Sequence, residues 1–68
     1  MNKHIELVKK WLADKDSVSQ EELEDNSAAA YTDVNEAAYA AYRAASSASA
    51  GYAGYAGHWV KRYEELTK

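Results

Sequence analysis

The sequence predicts an all-α domain in which two short N-terminal helices pack against one long Ala/Tyr-rich C-terminal helix. Three observations lead there. Apolar residues near the N-terminus recur at helical spacing, Ser19 and Glu22 form a capping box, and residues 33–67 keep apolar and charged side chains on opposite sides of a helical wheel. A chain of 68 residues allows one small domain, spanning 1–68.

The first helix is predicted in "NKHIELVKKWLAD", where Ile5, Val8, Trp11 and Leu12 share a face and Lys3, Glu6, Lys9 and Lys10 occupy the other. Asn2 is its expected cap, and Glu6 with Lys10 is an i,i+4 pair in the favourable order. The second helix is predicted to start at Ser19, because the capping box coincides with a hydrophobic staple of Val18 and Leu23. The short connection over residues 14–18 makes these two helices antiparallel or steeply angled neighbours.

Thr32, Asp33, Val34 and Asn35 are mediocre helix formers, and Asp33 with Glu36 offers another capping start. The second helix is therefore expected to stop near Tyr31 and the third to begin at Asp33. At about 100° per residue, Val34, Tyr42, Tyr52, Tyr55, Trp59, Val60, Tyr63 and Leu66 fall on one side of it. Asp33, Glu36, Arg43, His58, Lys61, Arg62 and Glu65 fall on the other. The phase survives "SASAGYAGYAGHWV", so Gly51, Gly54 and Gly57 are read as lying inside the helix, Gly51 and Gly54 on its polar side. Each glycine costs about 1 kcal/mol relative to alanine, which makes this the weakest stretch of the helix; a break near "SSASAG" would give two shorter helices instead.

Composition constrains the core. Ile5, Leu7, Val8, Leu12, Val18, Leu23, Val34, Val60 and Leu66 are the whole aliphatic supply beyond alanine, and there is no Phe. The formal net charge is only −3, and 14 alanines, six tyrosines and two tryptophans supply the remaining apolar surface. The expected core is aromatic rings laid on alanine. Ile5, Val8, Trp11, Leu12, Val18 and Leu23 should meet Val34, Tyr42, Tyr52, Trp59, Tyr63 and Leu66, with Trp59 the residue whose loss costs most.

Little in the sequence carries catalytic chemistry. There is no cysteine, hence no disulfide framework or thiolate nucleophile. His4 and His58 are on separate helices with no second ligand at metal spacing, so neither metal nor cofactor is expected. Ser46, Ser47 and Ser49 have no recognisable activating pair, and "GYAGYAG" lacks the lysine and preceding strand of a phosphate loop. The segment "SVSQEELEDNSAAAY" has the flavour of a helix-turn-helix opening. The capping box accounts for that flavour, and the following segment offers Arg43 as its lone base, so nucleic acid is not the expected partner. No run is long enough for a membrane span, and no signal peptide is evident; a cytoplasmic protein is expected.

Tyrosine is the informative residue. Tyr31, Tyr39, Tyr42, Tyr52, Tyr55 and Tyr63 stand among Ala, Ser and Gly, a composition like that of selected binding loops. Tyr39 and Tyr55 diverge from the main stripe in opposite directions, so the predicted contact surface is Tyr39, Tyr52 and Tyr55 with the backbone bared at Gly51 and Gly54. The alternative is a helix whose stripe pairs with a second copy to give a homo-oligomeric bundle.

The ends "VKKWLADKDSVSQEEL" (8–23) and "HWVKRYEEL" (58–66), bracketing a middle of "AAY"-like triplets, resemble small alanine-rich accessory proteins of tailed bacteriophages of enteric bacteria. The resemblance implies no particular activity or catalytic residue. It implies a setting, the cytoplasm of the infected bacterium, and a role of binding and inhibiting or redirecting a host or defence protein.

Overall fold

The computed structural model describes residues 2–31 and 35–68. Among them are four helices: α1 (Lys3–Ala13), α2 (Gln20–Ala30), α3 (Glu36–Ser49) and α4 (Ala53–Leu66). The all-α expectation stands at that level, but the long C-terminal helix does not exist. It is two helices of 14 residues each, folded against one another as a hairpin.

The break has an identifiable cause in the geometry of Gly51. Its φ of +83° lies in the left-handed region, which glycine enters without a Cβ penalty. The Tyr52 N–H donates to the Ser47 carbonyl (2.9 Å) and the Gly51 N–H to the Ala48 carbonyl (3.0 Å). Those two bonds are the 6→1 and 5→2 pair of a Schellman ending, with Ala50 as the cap residue. Gly51 is thus a helix terminator, not an interior residue, and only Gly54 and Gly57 of the three lie within a helix. The wheel's phase is genuine within α4, yet the chain reverses before α4 begins.

The N-terminal signals act locally as the sequence predicts. The Asn2 side chain accepts from the His4 and Ile5 N–H groups, and Ser19 and Glu22 cap α2 reciprocally. Val18 and Leu23, the staple residues, are both buried. For α3 the cap is Asn35, whose side chain accepts from the Ala38 N–H at 2.8 Å; the sequence-based start at Asp33 falls outside the described residues. By contrast, no side chain caps α4 among the described residues.

Helix α3 lies at the centre and touches each of the other helices, whereas α2 and α4 make no contact with one another. Its buried residues are Ala40, Ala41, Ala44, Ala45 and Ala48, of which the last four join one cluster with Ile5, Val8 and Trp11 from α1, Leu23 and Ala30 from α2, and Ala56 and Val60 from α4. Small residues at this seam let the helix axes approach closely. Among the described residues Trp11 is the one ring buried with it, and Tyr42, Trp59 and Tyr63 pack against its edge. The expected ring-on-alanine core is therefore corrected in part: Leu12, Tyr42, Trp59 and Tyr63 pack against the buried cluster from its edge and are only partly buried, as is Leu66, whereas Tyr52 is exposed and Val34 lies outside the described residues. Trp11, not Trp59, is the buried tryptophan.

Polar ties fix the elements against each other. Buried Asn26 on α2 donates from Nδ2 to the His4 carbonyl (3.2 Å), while its Oδ1 lies 2.7 Å from His4 Nδ1, which joins α1 to α2 by two bonds. Gln20 donates to the Ser49 carbonyl, so the start of α2 satisfies one of the acceptors left open at the end of α3. Lys9 and Glu64 pair at 2.7 Å across α1 and α4. The hydrogen bond to Glu64 holds the Lys9 ammonium above its ordinary range. This contribution is complete below the unfolded lysine pKa and disappears as pH rises through the folded one.

Candidate aromatic docking face

The site is built from the outward side of the α3–α4 hairpin. With alanine filling the seam, Tyr42, Trp59 and Tyr63 pack against its edge, and Tyr39, Tyr52 and Tyr55 are left on the outer face. Tyr39, Tyr52 and Tyr55 are 51%, 60% and 65% exposed. Rings of that size in water are not a burial requirement of this fold, since the core closes without them.

Two clusters make up the face. Tyr52, at the N-terminal boundary of α4, stands edge-to-face with Tyr55 at 5.9 Å between centroids. With Gly54 and His58 they line an open groove of about 540 Å³ whose walls are mostly apolar. A Cβ built at Gly54 would meet nothing within 4 Å, so the glycine leaves bare backbone on the groove. In the second cluster Tyr39 meets Trp59 edge-on at 5.8 Å, and the Arg43 guanidinium sits 5.6 Å from the Trp59 centroid and 6.0 Å from that of Tyr39. These are cation–π distances. His58 bridges the clusters, lining the groove while its ring packs perpendicular to Trp59 at 5.4 Å.

The structure thus places Tyr52, Tyr55 and Gly54 of the sequence-predicted surface around one groove, and Tyr39 in the neighbouring ring cluster. Gly51 is exposed but is consumed by the turn that ends α3, and it does not line the groove. Sequence reasoning missed Arg43, His58 and Trp59. A signal for two of them was present: His58 and Trp59 follow Tyr55 at i+3 and i+4, which puts them one turn along the same face. Arg43 and Trp59 meet only because the hairpin folds α3 back on α4, and no spacing in the sequence reports that.

Tyr31 forms a separate ring contact with Tyr42, at 4.8 Å, and is 74% exposed. Among the described residues no group of three or more His, Cys, Asp or Glu could hold a metal ion, and no helix is long and apolar enough to cross a membrane. No protein-family model, curated protein or solved structure matches the chain.

Proposed function

We propose that this chain is a non-enzymatic binding module that seats the aromatic face of the α3–α4 hairpin on a bacterial protein and inhibits or redirects it. The observation that carries this reading is the exposure of Tyr52 and Tyr55 around the groove, in a fold whose core is complete without either ring. Tyrosine and tryptophan bring large contact area with few rotatable bonds, and such rings are frequent anchors at protein interfaces. The resemblance to phage accessory proteins supplies the setting, the cytoplasm of an infected bacterium, with a host or defence protein as the target.

The competing assignment is a stripe left open for a second copy. In this fold α4 packs its buried residues Ala56 and Val60 into α3 of the same chain. A second copy is not required to complete the seam.

Capture from bacterial lysate on tagged protein, with mass spectrometry and a parallel Tyr52→Ala/Tyr55→Ala variant of equal helicity, tests the reading. One stoichiometric partner retained by the native chain and lost by the variant is the expected result. Equal retention by both, or a purified chain that sediments as a stable dimer which the double substitution dissociates, would sink it.

A further inference from the structure

We propose that the segment this face takes from its protein partner is acidic, with carboxylates flanking an apolar side chain. The proposal rests on the protein-binding reading above and names the partner's chemistry. Its basis is an asymmetry of charge. Between Ala37 and Tyr63, the stretch that carries the face, stand Arg43, His58, Lys61 and Arg62 and not a single Asp or Glu; the hairpin's own carboxylates are at its ends, Glu36 opening α3 and Glu64 and Glu65 closing α4, with Glu64 paired to Lys9. Four carboxylates of the first half, Glu21, Glu22, Glu24 and Asp25, stand exposed on α2, and α2 does not touch α4.

Arg43 is placed to read a carboxylate. Its guanidinium lies over the Trp59 and Tyr39 rings, which hold it at the surface by stacking. A planar fork held in this way keeps its N–H edge available, and that edge matches a carboxylate bidentately. Arg62 comes three residues after Trp59 and four after His58, one turn further on the same side of α4, and is exposed. The groove between Tyr52, Gly54, Tyr55 and His58 supplies the apolar pocket that an anchor beside those carboxylates would fill. Charge placed so governs which partner is accepted more than how tightly.

Two other occupants fit less well. The α2 helix of a second copy could offer carboxylates, but its one large apolar side chain, Leu23, is 2% exposed and cannot reach a groove. Single-stranded nucleic acid would stack on the rings, yet a chain of net charge −3 with few cations on this face neutralises few phosphates.

The test uses fluorescence anisotropy with three labelled peptides, each a central Trp-Leu flanked by glutamates, by glutamines or by lysines, and a labelled oligothymidylate. Native protein should bind the glutamate peptide best, more weakly at high salt, with Arg43→Gln and Arg62→Gln each reducing affinity by about tenfold at unchanged helicity. Equal or tighter binding of the glutamine or lysine peptide overturns the proposal, as does preference for the oligothymidylate or no binding of the glutamate peptide above the glutamine control. The two readings fail separately. If lysate capture is lost with Tyr52→Ala/Tyr55→Ala but survives Arg43→Gln and Arg62→Gln, the binding module stands and its acidic partner does not.

Discussion

The two halves of this molecule bury surface in opposite ways. The α1–α2 half inserts large side chains, Ile5, Val8, Trp11, Val18 and Leu23. The α3–α4 half contributes mostly methyl groups to the same cluster, Ala41, Ala44, Ala45 and Ala48 of α3 with Ala56 and Val60 of α4. The aromatic residues are divided accordingly. Where large residues fill the core, Trp11 is consumed by it; where alanine fills the seam, Tyr39, Tyr52 and Tyr55 are left outside, and they are the rings that form the candidate site.

Truncation of the two tryptophans breaks this comparison most sharply. Trp11→Ala removes a ring that is 7% exposed and covered by the first half, and should cost about 3–5 kcal/mol in urea unfolding. Trp59→Ala removes a partly buried ring that packs against the edge of the core and should cost less, about 2–3 kcal/mol. An equal loss for both would mean that Trp59 is anchored as deeply as Trp11 and that its ring is not available on the face.

The converse substitution addresses the seam. Ala44 is fully buried on α3, and Ala44→Leu forces methylene groups into space that the close approach of the helices has removed. About 1–3 kcal/mol of destabilisation is expected in the same unfolding experiment. A neutral result would show that the helices separate easily and that alanine is incidental there.

How far the sequence foretold this arrangement depends on the range of the forces involved. Caps are local: Asn2, and Ser19 with Glu22, satisfy backbone groups within three residues, so their signals are complete in the sequence and their structures agree. The staple residues Val18 and Leu23 belong to the same class. The helix break at Gly51 was open to either reading, because glycine is tolerated in a helix interior at about 1 kcal/mol and is also the favoured residue just past a helix end. Uninterrupted phase across 33–67 favours one helix, but a wheel records only the angle of each residue and carries no mark of where the chain reverses. The burial error has the same origin. A wheel ranks residues by hydrophobicity and places Tyr52 with Trp59, whereas the folded hairpin selects by size, and alanine wins the seam. Within the site, Tyr52, Tyr55 and Gly54 were legible because they are neighbours along one short stretch of chain; Arg43 over Trp59 is a contact between two helices and was not.

The turn between the two C-terminal helices gives the next prediction. Gly51→Ala places a Cβ at φ +83°, and the left-handed conformation costs a non-glycine residue about 1–2 kcal/mol although nothing crowds the position. Loss of stability with helicity retained is expected by circular dichroism and urea titration. A rise in stability and in helix content would mean that α3 and α4 fuse into the single helix that phase alone predicts.

The remaining glycines sharpen the comparison at its smallest scale. Gly54 and Gly57 lie in α4, and a Cβ at either position meets nothing within 4 Å. Neither is therefore required by packing, and Gly57→Ala, in the helix interior, should stabilise the protein by about 1 kcal/mol. Gly54→Ala should stabilise it somewhat less, being in the first turn of α4, but it also puts a methyl group on the wall of the groove beside Tyr52 and Tyr55. The two substitutions are thus matched in chemistry and separated in place. If the bare backbone serves a partner, Gly54→Ala should weaken capture while raising stability, and Gly57→Ala should raise stability and leave capture alone. Equal capture by both variants would mean that the glycine on the groove is a tolerated helix defect, with the exposed rings and not the bared backbone forming the contact.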